Sequence, residues 1–416
     1  MKQLLAAIVW SVLVVSGWAA AQDHDRIAYI DPQGRLATTD LSGNARTLTD
    51  EGRVFQFPAW APDGSPHLAA IGAAPGEVGV YVVADEEEAE VRTLFADTPP
   101  VYLYWTPDAS AVSFIANRPG NTFGLYLAPN EDDTAAELLY EGAPFYWRWD
   151  ARSERALVHV NLGSADARIG WVSRDNPDTL DENAATPGRF QAPDISVSGD
   201  FLAFAEQDAL GSSRLVIDSV DDATTTERRE LPHDGLVAFA WSPTTDDLAL
   251  ISSPSPSPHY YGPLQLLEAD TGNLETLVDD VVLAFFWSPD GRYLAYLTPL
   301  SGGGSENVAA ARQLQRVSQT LRPAQQAPLL LNLSVYDTDT GDSTLLSTFA
   351  PSPLFLVQFL PFFDQYARSH QLWSPRSDAI VLPMLDGQTQ SRVTVVSVDG
   401  TITPLARGDL PFWSVR

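Results

Sequence analysis

The sequence predicts an all-β protein, an eight-bladed β-propeller, from a tryptophan repeat and from the turn that follows each tryptophan. The tryptophans recur about every 45 residues, with one unit lacking the residue and one longer interval. They are Trp60, Trp105, Trp149, Trp241, Trp287 and Trp373. A steady period of this length indicates a repeat fold, in which each unit is one small sheet.

Each repeat supplies four short strands, the first of which ends at the tryptophan. In the clearest unit, Trp287 is followed by Ser-Pro-Asp-Gly at Ser288–Gly291. Proline presets φ for the turn, aspartate bonds back to the backbone and glycine takes the left-handed position. Apolar runs such as Val78–Asp85 and Val91–Phe95 supply the third and fourth strands. The runs are apolar on both faces, as expected of blades that are covered by two neighbours.

The two ends of the chain predict how the ring closes. Residues from Arg26 onward offer three strands without a preceding tryptophan strand, and Leu410–Arg416 offers a tryptophan strand with nothing after it. Joined, they complete one blade and leave no open sheet edge. Seven internal units, one of which carries Val197 in place of tryptophan, then make eight blades. Seven blades is the alternative, if the Val197 unit or the Trp149 unit is incomplete.

The repeat resembles the TolB-like, WD-repeat-like propeller repeat of bacterial exported proteins. The resemblance lies in Trp-Ser-Pro-Asp-Gly, in the apolar strand after it and in third strands such as "YVVAD". It covers essentially all of residues 22–416, which we predict to be one propeller domain. The resemblance implies the fold, and TolB itself works in an assembly that spans the cell envelope.

The first 21 residues are typical of a secretory signal peptide. Lys2 is followed by the uncharged run Leu4–Trp18 and by Ala19-Ala20-Ala21, which suits cleavage before Gln22. We therefore predict export to the periplasm or the extracellular space, with an uncleaved anchor as the alternative. The chain has no cysteine, which excludes disulfides and thiolate metal sites.

The charge of the chain restricts its partners. Fifty-four acidic residues against 25 basic ones give a formal net charge of −29. Such a field repels phosphate backbones and anionic lipid heads. We predict a monomer that binds no nucleic acid and does not insert into the membrane after signal cleavage.

Two insertions interrupt the repeat between Trp287 and Trp373. The first, about residues 301–328, predicts a helix with Ser305 as N-cap and a basic face formed by Arg312, Arg316 and Arg322. This helix either docks a partner or lies on its own propeller, and the second interpretation is favoured because amphipathic helices usually pack on their own domain.

The second insertion, Pro351–Trp373, is rich in aromatic residues and also holds Arg368 and His370. It forms either an exposed apolar patch or, as we favour, a surface that buries the inserted helix. The sector that contains both insertions is the predicted partner-binding region. Its candidate residues are Arg312, Arg316, Arg322, Tyr366, Arg368 and His370.

No motif for catalysis or metal binding emerges from the sequence. The six histidines lack metal-ligand spacing, and Asp337–Asp342 lacks the twelve-residue pattern of a calcium loop. We therefore predict no cofactor, no metal and no catalytic residue. The predicted function is a non-catalytic platform that binds or assembles another envelope or secreted protein. The alternative is a hydrolase or lyase that acts on a polysaccharide or small polar ligand at the mouth of the central channel. Acidic, basic and histidine side chains converging there would favour the enzyme.

Overall fold

The computed structural model describes residues 25–131, 134–161, 166–182, 187–188, 191–207, 212–220, 228–253, 261–300, 329–387 and 390–415. Within these ranges, 31 strands form eight antiparallel sheets, arranged as the blades of a propeller. The predicted fold class is confirmed. The predicted signal peptide and the predicted helix of residues 301–328, with Arg312, Arg316 and Arg322, lie outside the described residues.

The strands are numbered along the chain. The first fifteen are β1 Arg26–Ile30, β2 Leu36–Asp40, β3 Ala45–Thr47, β4 Val54–Trp60, β5 His67–Ala74, β6 Glu77–Ala84, β7 Arg92–Phe95, β8 Pro100–Trp105, β9 Ala111–Arg118, β10 Thr122–Pro129, β11 Glu137–Gly142, β12 Phe145–Trp149, β13 Arg155–Val160, β14 Arg168–Ser173 and β15 Asn176–Glu182.

The remaining strands are β16 Asp194–Ile195, β17 Phe201–Gln207, β18 Ser213–Ser219, β19 Arg229–His233, β20 Val237–Trp241, β21 Asp247–Ser252, β22 Gly262–Glu268, β23 Leu274–Val282, β24 Ala284–Trp287, β25 Tyr293–Pro299, β26 Leu331–Asp337, β27 Asp342–Phe349, β28 Ala379–Asp386, β29 Gln390–Ser397, β30 Ile402–Arg407 and β31 Asp409–Trp413. The helical elements are a π-helix at Phe355–Phe359, a 3-10 helix at Leu360–Phe362 and α1 at Phe363–Tyr366.

The blades follow chain order. Six of them contain four consecutive strands each, from β4–β7 to β24–β27. The units with Trp149 and Val197 are both complete blades, so the seven-bladed alternative is wrong for the described residues. The first strands of neighbouring blades contact one another and surround the central channel. Burial falls toward the outside, because a fourth strand such as β27 has a neighbouring strand on one side only.

The ring closes as predicted, through a blade made from both ends of the chain. Strand β31 pairs antiparallel with β1, so that Ile27 lies opposite Trp413 and Ala28 opposite Phe412. The sheet order is β3-β2-β1-β31. This arrangement pairs the last strand of the chain with its first strand, so that both ends of the chain contribute to one complete blade.

The turn after the first strand of the Trp287 blade also links neighbouring blades. In the turn Ser288–Gly291, Asp290 Oδ1 accepts hydrogen bonds from the Ser288 hydroxyl and from the backbone N–H of Arg292. Gly291 has a φ of 73°, a left-handed conformation that costs a glycine little. The backbone N–H of Asp290 donates to the Ser377 hydroxyl in the next blade at 3.1 Å. The turn sequence therefore fixes both its own hairpin and the position of its neighbour.

Several of the repeated tryptophans join their blade to the blade before it. In four cases the indole Nε1 donates to the backbone carbonyl that precedes the tryptophan of the previous blade, at 2.9 to 3.2 Å. These bonds are Trp60 to Phe412, Trp105 to Ala59, Trp287 to Ala240 and Trp373 to Phe286. The tryptophan thus fills the gap between blades and also satisfies its polar atom there.

The Val197 unit differs from its neighbours in this respect. We expected Val197 to take the place of the missing tryptophan, but its side chain is 52% exposed. Trp241, in the next blade, has no hydrogen-bond partner for its Nε1 within the described chain. Ile195, the last residue of β16, stands at the tryptophan position instead, because it pairs with Leu202 as Trp287 pairs with Leu294. The isoleucine side chain has no N–H to donate, so this blade lacks the repeated bond to the blade before it.

Candidate binding site at one mouth of the channel

The second insertion fills the central channel. Strand β28 meets the chain on one side at two isolated bridges, Met384 to Pro351 and Ile380 to Trp373. Between these bridges, where other blades have a continuous first strand, the chain leaves the sheet and forms the three short helical elements. We call residues 352–372 the channel plug.

The apolar side of the channel plug packs on the first strands of several blades. Tyr366 stacks on Phe57 with ring centroids 4.7 Å apart, and Phe363 meets Phe285 edge-on at 5.4 Å. Phe359 lies 5.7 Å from Phe412, across the blade that closes the ring. The expectation that these aromatics form an exposed apolar patch was wrong, because the inner walls of the channel bury most of them. The expectation that they bury the predicted helix concerns residues outside the described ranges and stays a prediction.

A chain of hydrogen bonds fixes the end of the channel plug. His370 Nε2 lies 3.2 Å from the carbonyl of Phe57, which can only accept, so Nε2 carries the proton. His370 Nδ1 then accepts from the Ser369 hydroxyl at 2.6 Å. The Tyr102 hydroxyl lies 2.6 Å from the same Ser369 oxygen. Phe57 itself has a φ of 51° at a bulge in β4, which presents its carbonyl to the histidine.

Above the channel plug, the mouth of the channel is an open cavity of about 550 Å³. The channel plug forms its floor through residues from Asp364 to Leu372, including the exposed Ala367. Tryptophans from the ends of the first strands and prolines of the following turns form its wall. The wall tryptophans are Trp60, Trp105, Trp241, Trp287, Trp373 and Trp413.

Four charged residues converge in this cavity. The Asp194 carboxylate lies 3.2 Å from Arg148 Nε and 3.7 Å from Arg368 Nη2. Arg148 also donates to the Tyr104 hydroxyl at 2.8 Å, and Arg368 donates to the carbonyl of Pro193 at 2.7 Å. Asp364 completes the group, which we call the floor cluster: Arg148, Asp194, Asp364 and Arg368. Two cations and two carboxyl groups therefore lie at the floor of a cavity whose wall is rich in tryptophan and proline.

Burial shifts the pKa of two groups of the channel plug in opposite senses. Burial raises the pKa of Asp364 to about 6, although the nearby Arg368 lowers it. Burial lowers the pKa of His370 to about 4, because desolvation penalises the charged imidazolium. Asp364 is therefore the group of the floor cluster whose charge changes nearest neutral pH, whereas His370 stays neutral there.

The structure places the predicted partner-binding residues as follows. Tyr366 and His370 are buried inside the channel, and the Arg368 side chain is 5% exposed in the cavity floor. The prediction that these residues bind a partner remains a prediction.

Arg148, Asp194 and Asp364 were not among the residues predicted from the sequence. Arg148 did carry a signal, because the residue before the tryptophan is apolar in other repeats, as at Ala59 and Ala240. A charge at this position faces the channel.

The described residues hold no group of three or more histidine or carboxylate side chains arranged to bind a metal ion. Within the same residues, no helix is long and apolar enough to span a bilayer.

Comparisons with known proteins support the fold. No protein-family model matches the sequence, and no curated protein matches it significantly. Solved structures do match. Dihydro-heme d1 dehydrogenase NirN is 12% identical, with a TM-score of 0.53 over 94% of this chain and 75% of that chain. A eukaryotic initiation factor is 10% identical, with a TM-score of 0.52 over 94% and 98%. TolB from Acinetobacter baumannii is 12% identical, with a TM-score of 0.41 over 91% and 78%.

These identities are all below 25%, so the likeness concerns the fold alone. The chain is a β-propeller. TolB structures are among its structural neighbours, as the resemblance of the repeat implies. Export from the cytoplasm stays a prediction.

Proposed function

We propose that the protein is a non-catalytic binding propeller that holds a segment of another exported protein in the cavity at its channel mouth. The observation that carries this proposal is the cavity itself, with an aromatic wall and a charged floor. Its volume lies within the 300 to 1,000 Å³ that is usual for ligand pockets. A few residues of an extended peptide fit such a space. We also propose that the protein is a monomer and that it works in the periplasm or outside the cell.

The pairing of the charged groups favours binding over catalysis. A general acid or base must reach the substrate with a proton that it can exchange. Both ring nitrogens of His370 bond within the protein and the residue is 1% exposed. Asp194 is held between two guanidinium groups. These residues are arranged to hold charge in fixed positions.

A selection from a random peptide library tests this proposal. Ala367→Trp would place an indole in the cavity at an exposed position of the floor. Ala45→Trp is the matched control. Ala45 is exposed on β3, which is the outermost strand of its blade and so lies far from the channel. We expect the unaltered protein and the Ala45→Trp variant to enrich the same peptides, and Ala367→Trp to lose them. Failure to enrich any peptide, or equal binding to the Ala367→Trp variant, would contradict the proposal.

Asp364 supports a second candidate, a hydrolase or lyase that acts on a polysaccharide or small polar ligand. A carboxyl group with a pKa raised to about 6 can act as a general acid near neutral pH. An activity that Asp364→Asn abolishes while peptide binding persists would favour this candidate.

A further inference from the structure

The floor cluster leaves buried polar atoms without partners. Within the described residues, Asp364 Oδ2 and the Nε and Nη2 atoms of Arg368 have no hydrogen bond. Asp364 is 2% exposed and the Arg368 side chain is 5% exposed. Leaving a buried polar atom unpaired costs about 1 to 3 kcal/mol, and more when the group is charged. Both residues line the cavity, so a ligand that enters it can supply the missing partners.

The arginines of the cluster suit an incoming carboxylate. Arg148 and Arg368 share the single carboxylate of Asp194, at 3.2 and 3.7 Å, without hydrogen-bond geometry on either of these atoms. A guanidinium fork matches a carboxylate in two parallel bonds, and such charge-assisted bonds are about twice as strong as neutral ones. The Arg148 side chain is 32% exposed and is therefore accessible from the cavity.

Asp364 adds a requirement for a donor next to that carboxylate. Its Oδ1 already accepts the backbone N–H of Gln365 at 3.0 Å, whereas Oδ2 has no donor within the described chain. A ligand that satisfies the whole floor therefore brings a carboxylate and an N–H or O–H group close together. The last residue of a polypeptide has this chemistry, because one Cα joins its carboxylate to its amide N–H.

We propose that the cavity captures the free C-terminal end of a partner polypeptide. The terminal carboxylate bonds to Arg148 and Arg368, the last amide N–H donates to Asp364 Oδ2, and an apolar final side chain packs on the tryptophan wall. This inference rests on the proposed function and specifies its ligand. The channel plug supplies a further argument, because it closes the cavity from below. A chain end can stop at such a floor, whereas an internal segment must turn back.

Calorimetric titration with short peptides tests the inference. The probes are N-acetylated tripeptides that end in Leu, Phe or Trp, each as the free acid and as the carboxamide. Loss of a charge-assisted bond is worth about 1.5 to 3 kcal/mol, so we expect the carboxamide to bind about ten- to a hundredfold more weakly. Methylation of the last amide nitrogen removes the donor to Asp364, and we expect a further, separate weakening of about fivefold to tenfold from the loss of one hydrogen bond.

Protein variants assign the effect to the floor cluster. Arg148→Gln should weaken binding of the free acid by about tenfold or more, because one charge-assisted bond is lost, and should weaken binding of the carboxamide less. Arg152→Gln is the control, because Arg152 is an exposed arginine three residues after Trp149. It removes the same charge outside the cavity and should change neither titration. Thermal melting of both variants checks that they are folded.

Several results would overturn the inference. The inference fails if the acid and the carboxamide bind equally well or if neither binds. It also fails if free phenylalanine binds more tightly than the acetylated peptide acid. A peptide carboxamide that carries an internal aspartate and binds as tightly as the free acid would also overturn it, because the carboxylate would then not need to be terminal. If library peptides still require the open cavity while free acids show no advantage, this inference fails and the proposed function stands.

Discussion

Ser113 shows how one side chain can replace a repeated backbone contact. In four blades an indole donates directly to a carbonyl of the preceding blade. Here the Ser113 hydroxyl donates to the carbonyl of Tyr104 at 2.7 Å and accepts both Trp147 Nε1 and Trp149 Nε1 at 2.9 Å. The serine thus connects two indoles of one blade to the first strand of its neighbour.

Ser113→Ala should therefore destabilise the protein by about 2 to 5 kcal/mol, since it leaves three buried groups with fewer partners. The free energy of unfolding, measured by urea denaturation of the variant and of the unaltered protein, gives the size of the effect. Ser334→Ala is the control, because Ser334 is a buried serine of β26 that accepts no indole N–H from the residues the structure describes. Equal losses in the two variants would show that the shared acceptor has no special role.

Asp364→Asn tests the buried carboxyl group through the pH dependence of stability. The pKa of Asp364 is about 6 in the folded protein against an ordinary value of 3.8 for an aspartate, so the folded state binds the proton more tightly. Its ionisation therefore costs stability progressively between about pH 4 and pH 6, and below that range costs nothing. Two pKa units correspond to about 3 kcal/mol. We expect Asp364→Asn to be more stable than the unaltered protein above pH 6, with the difference vanishing near pH 4.

Thermal melts of both proteins from pH 4 to pH 8 measure that difference. His370 acts in the opposite sense, because its lowered pKa removes stability as the pH falls from about 6.5 toward 4. Comparison of the two proteins cancels this contribution. A difference that stays constant with pH would show that Asp364 is not desolvated in the folded state.

At the scale of the element, the channel plug depends on aromatic packing. Phe359 is fully buried, stacks on Phe355 at 5.0 Å and on Tyr366 at 5.3 Å, and has no hydrogen-bonding group. Phe359→Ala should cost about 3 to 5 kcal/mol because it opens a cavity in the channel. Phe362→Ala, at a 46% exposed position of the same segment, is the control and should cost much less. Similar melting temperatures for the two variants would contradict a packed plug.

The sequence predicted the repeating elements well and the inserted ones poorly. The turn Ser288–Gly291 and the order of strands after Trp287 follow from local interactions between neighbouring residues, and these can be predicted from the sequence. The destination of Pro351–Trp373 does not follow from composition, because aromatic side chains pack equally well on a helix or on channel walls. The floor cluster was missed for a related reason. Arg148 and Asp194 are far apart in the chain, and only the closed ring and the plug bring them to Arg368.

At the scale of the molecule, ring closure and the channel plug together determine where a ligand can bind. The pairing of β1 with β31 fixes the circumference, and the plug closes the channel below the tryptophan wall. The open mouth then remains as a cavity with a charged floor. The large negative net charge of the chain makes the two arginines in this cavity a local exception.

Fluorescence quenching tests most directly whether the plug forms the floor of a tryptophan-walled mouth. The chain has no cysteine and 11 tryptophans, so a nitroxide on Ala367→Cys labels one position among many indoles. A nitroxide quenches only indoles within contact range. We expect strong quenching from position 367 and weak quenching from Ala45→Cys on the edge strand β3. Equal quenching from both positions would show that residue 367 does not lie beneath the tryptophan wall.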